Sequence, residues 1–504
     1  MTRRTAVLYC NADLAQGMGH LARSLSLSEE ARRRGWETII AGQFGGRAIE
    51  HAAALAPNQE IVLLEAGSPL QQLRKLVDAR SAQLLHLDSY DTRLDTFDPG
   101  AVLVSNMQDG TFGRRQADLH IDANLDAELR YQSIQPNERV IVGTSGMQIR
   151  SAVRRLNHEV RQPLSAPFNV LVILGGTDPL GLTPRITRLL LTHPELNLTV
   201  ICRPEVRPDL VEALGDKATR RVAIISFTES LPELANSMDI VVTAAGTSVW
   251  DFAAVGIPMG IIAVTENQLP GYRACETHQL GFMLGEPPHD LIEEQIDELV
   301  CTLQDRAHLE GLSARGALLV DGLGAWRVVS AWEEMLEDKA LTRAVKVSEL
   351  APKLNARAAV ESDARQLFEW RNDESTRAVS RSHQSIQWED HLAWLRRTIA
   401  DPERKLLVIE DEHAAIATMR WDQLRAHTWE ASITIAPSHR GRGHGSIVLS
   451  AGESVFSSEL PVRLTAGIHE SNHASRRLFA RAGYLPYAPA DSAGFETREK
   501  WLLR

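Results

Sequence analysis

Gly17-Met-Gly-His-Leu-Ala-Arg23 is the stretch on which the fold reading turns. Before it, Ala6-Val-Leu-Tyr9 is a short apolar run of the kind that forms a strand buried on both faces. After it, Leu21, Leu25, Leu27 and Ala31 fall at helical spacing, and the pattern closes at Gly35 with Arg32, Arg33 and Arg34 in its last turn. Basic residues and a following glycine are what a helix C-terminus favours. The stretch is therefore a glycine-rich turn between a first strand and a first helix. Gly17 and Gly19 let backbone pass close to a ligand, and free N–H groups at the helix start attract anions. His20 sits at the mouth of that turn and can exchange a proton near neutral pH. The same residues also read as a plain tight turn with a surface histidine, so the rest of the chain has to decide.

Working outward, apolar runs at 5–9, 37–41, 60–64, 83–87 and 101–105 alternate with helical patterns. That alternation predicts an α/β domain with a doubly wound parallel sheet. Ligands of such sheets collect at the carboxyl ends of the strands, where Asp88 and Tyr90 follow Leu84-Leu-His-Leu87. A second alternating unit begins near Pro167. Its strand Phe168–Leu174 runs straight into Gly175-Gly176-Thr177-Asp178, and the strand 240–244 into Ala245-Gly246-Thr247-Ser248. A helix over about 249–255 carries Asp251 one turn in, suited either to a ribose diol or to the helix N-terminus. The strand 259–264 ends in Thr265-Glu266-Asn267-Gln268. One half thus offers phosphate-binding turns and the other a titratable histidine, a division that suits a nucleotide-sugar enzyme.

Composition narrows the classes. A chain of 504 residues holds about three domains. A net charge of −11 argues against general nucleic-acid binding, which wants a basic surface. No apolar run approaches the roughly 18 residues of a membrane span, and Met1-Thr-Arg-Arg4 reads as the approach to a strand, not a signal peptide. Cys10, Cys202, Cys275 and Cys301 lie far apart without paired spacing, which predicts neither a disulfide framework nor a zinc site. The expectation is a cytoplasmic enzyme of small-molecule substrates, without nucleic acid, membrane or bound metal.

Five motifs then recur in order: Gly17-x-Gly19-His20-x-x-Arg23, Asp88-x-Tyr90, Gly175-Gly176-Thr177-Asp178, Ala245-Gly246-Thr247-Ser248 with Glu266-Asn267-Gln268, and Asp321-Gly-x-Gly324-x-x-Arg327. Over about residues 1–335 the chain resembles the UDP-sugar hydrolases of pseudaminic acid biosynthesis, relatives of the GT-B glycosyltransferases. The resemblance implies two Rossmann-like domains, 1–160 and 161–338. It also implies attack of water on the anomeric carbon of a UDP-linked 2,4-diacetamido-2,4,6-trideoxyhexose, with His20 activating that water. Gly17, Gly19, Arg23, Asp88, Tyr90, Gly176, Thr177, Asp178, Gly246, Thr247, Ser248, Asp251, Glu266, Asn267 and Gln268 are the expected substrate and nucleotide contacts.

A charged linker, 339–353, leads to a smaller α+β unit, 354–504. Residues 406–409 and 414–417 make a hairpin, and Glu430-Ala-Ser-Ile-Thr-Ile435 alternates as a strand. It runs into Arg440-Gly441-Arg442-Gly443-His444-Gly445 and then a helix, so backbone N–H groups and positive charge line up as a pyrophosphate would need. This loop, with Asn472-x-x-Ser475-x-x-x-Phe479-x-x-x-Gly483-Tyr484, resembles the GNAT acyltransferases. Trp370-Arg-Asn372, His391 and Trp394 resemble the sugar N-acetyltransferases among them. The resemblance implies acetyl-CoA as co-substrate, held by Ile435, Arg440, Gly441, Arg442, Gly443, His444, Gly445, Asn472 and Ser475. Phe479 stands where many of these enzymes carry a tyrosine acid, leaving Tyr484, Ser475 or water for that role. Glu430 or His469 is the expected base.

Together the halves predict a bifunctional enzyme: N-acetylation of a UDP-linked 4-amino-4,6-dideoxy sugar, then hydrolytic release of UDP. A GT-B glycosyltransferase fused to the GNAT domain, or a nucleotide-sugar binding module serving it, are the readings that compete.

Overall fold

A computed structural model describes residues 4–12, 18–65, 67–133, 138–156, 166–175, 178, 180–215, 220–226, 228, 230–342, 354–378, 380, 382–412, 414–442 and 444–503. Its first sheet contains β1 (Thr5–Cys10), β2 (Glu37–Gly42), β3 (Glu60–Leu63), β4 (Leu84–Asp88), β5 (Leu103–Gln108), β6 (Leu119–Asp122) and β7 (Val140–Val142). The order is β3-β2-β1-β4-β5-β6-β7, with parallel pairing from β3 through β6. All six positions of β1 are buried, as expected of a strand covered on both faces. The strand order reverses between β1 and β4, where Cys10 pairs with Asp88. At such a switch point the connections leave in opposite directions and open a crevice at the carboxyl ends.

The second sheet repeats the plan. It contains β8 (Phe168–Ile173), β9 (Leu196–Ile201), β10 (Val222–Ile225), β11 (Ile240–Ala244), β12 (Met259–Ile262) and β13 (Phe282–Met283). They run parallel in the order β10-β9-β8-β11-β12-β13. The reversal here falls between β8 and β11, so the glycine turns after those two strands share one crevice. Val170, Val172, Leu198, Val200 and Val242 form the core on one face, closed by the helices Leu182–Leu190 and Ile292–Thr302.

The third sheet is mixed. It contains β14 (Asn355–Ala358), β15 (Arg404–Glu410), β16 (Ala415–Arg425), β17 (Thr428–Ile435), β18 (Val462–His469), β19 (Leu485–Ala488) and β20 (Phe495–Leu502), ordered β14-β15-β16-β17-β18-β20-β19. Every neighbouring pair is antiparallel except β17 and β18. The architecture is thus two doubly wound Rossmann-like sheets followed by an α+β domain, as the sequence predicts. By its contacts the chain divides into two compact units, residues 1–127 with 141–329 and residues 128–140 with 330–504. The helix Gly324–Thr342 runs into the span read as linker, of which 343–353 lie outside the described residues. Among the described residues no helix is long and apolar enough to cross a membrane.

Candidate functional site

The carboxyl ends of β1 and β4 bring together four side chains. The helix Gly19–Arg33 starts just after β1 and carries His20 and Arg23 one turn apart on the same face. His20 Nδ1 lies 2.7 Å from Asp88 Oδ1, and Arg23 donates to both Asp88 oxygens at 2.8 and 2.9 Å. Arg23 also reaches both oxygens of Asp109, each at 3.3 Å, and the Tyr90 hydroxyl donates to Asp109. His20 and Asp88 are 4% and 1% exposed, so the histidine is recessed instead of standing at the surface.

The electrostatics follow from this packing. Burial alone would raise the Asp88 carboxyl, but Arg23 and His20 outweigh it and hold it far below the ordinary range. Asp109 is likewise lowered: burial pushes it up, and Arg23 and the Tyr90 hydroxyl pull it down further. Nδ1 faces Asp88 Oδ1 at 2.7 Å and Arg23 Nη2 at 3.0 Å; the ionised carboxylate, the closer of the two, assigns the imidazole proton to Nδ1 and leaves Nε2 as the lone-pair nitrogen, with no partner among the described residues. One arginine facing two carboxylates leaves the cluster with one negative charge in excess. A proton accepted at Nε2 neutralises it, which is the arrangement a general base requires.

Asp109 is a member of the cluster that the sequence reading did not place among the site residues. Its signal was its position, first after the carboxyl end of β5, beside the switch point. Two others escaped for the same reason. Arg115, 6% exposed, donates to the Ser89 carbonyl at 2.9 Å and to Asn106 Oδ1 at 2.9 Å, fixing the loop that presents Tyr90. Phe112 is 60% exposed, yet its backbone exchanges two hydrogen bonds with Asp109, at 3.0 and 3.1 Å. Its ring lies 5.8 Å from that of Tyr90, which meets the His20 ring edge-on at 4.7 Å.

One turn of the second sheet meets the start of the His20 helix. A Cβ placed on Gly19 would lie 3.4 Å from Thr247 Cγ2, so the start of the His20 helix rests against the turn after β11. Thr247 and Ser248 open the helix Ser248–Val255. Within it, burial raises the Asp251 carboxyl to about 6, opposed only by Arg150. Gln268 accepts the Val264 N–H at 2.9 Å, and its Nε2 lies 3.9 Å from where a Gly246 Cβ would stand. Glu266 is exposed in the adjacent turn, Glu266–Gln268, which includes Asn267. Gly17, Gly176 and Thr177 lie outside the described residues.

One expected contact, Asp178, and the last of the five motifs have structural tasks. Asp178 holds φ at +38° and accepts the Leu182 and Thr183 N–H groups at 2.9 Å each, so both its oxygens cap the helix Leu182–Leu190. The Asp321–Arg327 motif is a packing device. Arg327, 1% exposed, pairs with Asp321, and a Cβ on Gly324 would stand 2.1 Å from the Met147 carbonyl oxygen.

In the third sheet the site is made of backbone. Strands β17 and β18 pair only over Thr428–Glu430 against Arg463–Thr465. Beyond this the described residues show no further rung, while β16 follows β17 to Ile435 and β20 follows β18 to His469. The parallel pair therefore splays, leaving free polar backbone along one edge of β17. Glu430 stands at the apex. Trp429 and Ala431 belong to the core packed by the helix Gly445–Glu453, so by alternation Glu430 points to the opposite face.

The loop after Ile435 divides its labour. Arg440 is tied to Asp373 Oδ1 at 2.6 Å, Thr376 Oγ1 at 2.6 Å and the Ile435 carbonyl at 3.0 Å, so its guanidinium braces the loop. Gly441 adopts φ +72° in open space, and Arg442 is exposed. Gly443 lies outside the described residues. His444 caps the helix that Gly445 begins, where a side chain would meet Leu478 at 2.9 Å. Asn472 Oδ1 accepts the Ser475 N–H at 3.1 Å, an N-cap for the helix His473–Arg481.

Tyr484 corrects the expectation of a general acid. It is fully buried in the helix-side core, edge-on to Phe479 at 4.8 Å, and burial followed by the Glu453 carboxylate raises its phenol well above the ordinary value. His469 bonds Ser471 at 2.8 Å at the far end of β18 from Glu430. Among the described residues no group of three or more His, Cys, Asp or Glu is arranged to hold a metal ion.

Comparison with known proteins gives three findings. Residues 353–485 match the acetyltransferase (GNAT) domain family. An uncharacterized protein of Methanocaldococcus jannaschii is 20% identical over 493 residues, covering 94% of this chain and 95% of its own. Among solved structures, a Listeria monocytogenes protein described as a UDP-N-acetylglucosamine 2-epimerase is 13% identical, covers 67% of this chain and 98% of its own, and has a TM-score of 0.48. MurG of Acinetobacter baumannii is 14% identical, covers 66% and 99%, and has a TM-score of 0.47. The third sheet thus carries a GNAT acetyltransferase domain, whose co-substrate is acetyl-CoA.

Proposed function

We propose that the chain is a bifunctional nucleotide-sugar enzyme of nonulosonic, pseudaminic-type acid synthesis. Its GNAT domain acetylates the 4-amino group of a UDP-linked 4-amino-4,6-dideoxy sugar, and its Rossmann-like half then releases UDP by hydrolysis. The observation that carries the reading is the His20–Asp88 pair, with Nε2 left open where the Gly19 helix start meets the Thr247 turn.

In the hydrolytic step Nε2 takes a proton from water as its oxygen attacks the anomeric carbon. The bond from that carbon to the diphosphate oxygen breaks, and UDP leaves with the bonding pair. Asp88 steadies the imidazolium, and the Thr247–Ser248 helix start, with Gln268 Nε2 beside Gly246, faces the departing diphosphate. Tyr90 and Phe112 offer an apolar wall to a deoxy sugar.

In the acetyl step the splayed edge of β17 bonds the pantetheine arm, as an added strand would. The Arg440–Gly445 loop takes the pyrophosphate. Glu430, at the apex, accepts the ammonium proton before the amine attacks the thioester carbonyl; the C–S bond then breaks, and the departing CoA thiolate takes the second proton from the nitrogen.

The test is mass spectrometry on UDP-4-amino-4,6-dideoxy-N-acetylaltrosamine with and without acetyl-CoA. Acetylation followed by UDP loss supports both steps, with His20→Ala slowing UDP release about 10²–10⁴-fold and sparing acetylation. UDP loss only when a second sugar or lipid acceptor is supplied points to transfer in place of hydrolysis. An acetylated UDP-sugar that persists on long incubation reduces the Rossmann-like half to a binding module.

A further inference from the structure

The face of the acetyltransferase sheet opposite the Gly445–Glu453 helix holds an arginine cluster that neither proposed step uses. Arg371 ends the helix Ala364–Asn372, and Arg377 lies in the next, Glu374–Ala378. Arg420 stands on β16, directly opposite Ser432 of β17, and therefore on the face to which Glu430 points.

Two carboxylates nearby already hold other arginines of the domain. Asp422 accepts Arg420 Nε at 2.8 Å, and Asp373 accepts Arg440 Nη1 at 2.6 Å. Arg371 and Arg377 are left with carbonyls: Arg371 donates to Ser382 at 3.1 Å, and Arg377 to Asn372 at 3.2 Å and His383 at 3.1 Å. Nη1 of Arg371 is shut from water with no partner among the described residues. Burial, then Arg377, then Arg420 press its guanidinium pKa downward, so the charges acting on it are all of its own sign. Two partly buried cations, Arg371 and Arg377, with only carbonyls for partners are unfavourable on their own. A bound anion removes that penalty.

The position says which substrate brings the anion. Arg420 also covers the Trp394 ring at 5.7 Å, making an aromatic and cationic wall on the side away from the Gly445–Glu453 helix that follows the Arg440–Gly445 loop. We propose that Arg371 and Arg377, with Arg420 beside them, seat the diphosphate of a nucleotide-linked amine acceptor on the Glu430 face of the sheet. The inference rests on the reading above that the acceptor is a UDP-sugar, and it places that acceptor's charged end. It also sets this domain apart from acetyltransferases of polycationic amines, which such a wall repels.

The experiment compares two acceptors in the full-length chain: the UDP-linked amino sugar and the same amino sugar without its nucleotide. For Arg371→Gln/Arg377→Gln the expected result is about a hundredfold loss in kcat/KM with the UDP-linked acceptor, carried by KM. The nucleotide-free sugar and the KM for acetyl-CoA stay unchanged, and Arg371→Lys/Arg377→Lys restores part of the loss. Equal losses on both acceptors, or none, overturn the proposal, because a merely structural role does not distinguish them. If the wild type acetylates neither sugar, the functional reading fails, and a titration with inorganic pyrophosphate at saturating CoA decides the inference separately. One site fewer in the double variant sustains the anion seat; equal stoichiometry removes it.

Discussion

The two candidate sites of this chain are built from opposite materials. In the Rossmann-like half the chemistry resides in side chains, with His20, Arg23, Asp88 and Asp109 locked to one another at strand ends. In the acetyltransferase half it resides in the main chain, where β17 parts from β18 and a glycine turn follows. A side-chain site depends on each charge keeping its partner. A backbone site depends on strands and turns that single polar substitutions leave standing. The folded stability of the first should therefore be fragile to isosteric changes, and that of the second largely indifferent to them.

Asp88→Asn is the sharpest way to break the contrast. It leaves Arg23 and the imidazole short of a buried partner, which typically costs about 3–5 kcal/mol when one member of a buried pair is removed. It also frees Nδ1 from its proton, so UDP release should fall by about 10²–10⁴-fold. Because the folded carboxyl lies far below its unfolded value, its stabilisation is present above about pH 4 and lost as pH falls below that. Thermal melts of variant and wild type should differ most near neutrality and converge in acid. Equal melting temperatures at pH 7 would mean the network is replaceable by water. By contrast Asn472→Ala, at the acetyltransferase site, should lose only a cap, about 1 kcal/mol.

The contrast also explains what could be read from the sequence. Strands such as β1 and β8 are continuous apolar runs, so both Rossmann-like sheets were legible, and the structure brings together His20, Arg23, Asp88 and Tyr90, of which position at strand ends had marked His20 and Asp88. Asp178 and Asn472 each cap a helix, and a short polar residue just before a helix looks alike in sequence whether it binds a ligand or caps the helix. Tyr484 was misread because sequence does not say which face of a sheet a residue lies behind. The splay of β17 and β18 has no residue signature at all. Asp109 and Phe112 needed the fold, since the loop after β5 carries no motif.

A middle-sized effect tests the nucleotide side. Asp251, raised to about 6 by burial, binds its proton more tightly folded than unfolded. Wild-type stability should thus fall as pH rises from about 4 to 6, the reverse of Asp88. Asp251→Asn removes that penalty, so the variant should melt near the wild-type temperature at pH 4 and above it at pH 7.5. Its affinity for UDP should drop, because the ionised form is the one that accepts ribose hydroxyls, and wild-type affinity should rise with pH through about 6. Parallel melting curves at both pH values would show that the carboxyl is not held away from water.

The smallest effect is expected from Phe112→Ala, and it asks whether any part of the side-chain site is free of the network. Phe112 is 60% exposed, so its ring contributes little to folding, and stability should move by no more than about 0.5 kcal/mol. Its backbone is nevertheless fixed by the two hydrogen bonds to Asp109, and its ring leans on Tyr90 beside His20. An exposed aromatic held this rigidly has an obvious use as an apolar wall for a sugar bearing a methyl group in place of a hydroxymethyl. Removing it should raise KM about tenfold for a 6-deoxy UDP-sugar while leaving UDP affinity unchanged, the scale of one lost apolar contact. The ratio of kcat/KM between 6-deoxy and 6-hydroxy substrates should fall with it, and Phe112→Trp should keep both. A change in kcat with no change in that ratio would instead mean that Phe112 acts through Asp109, as one more member of the locked cluster.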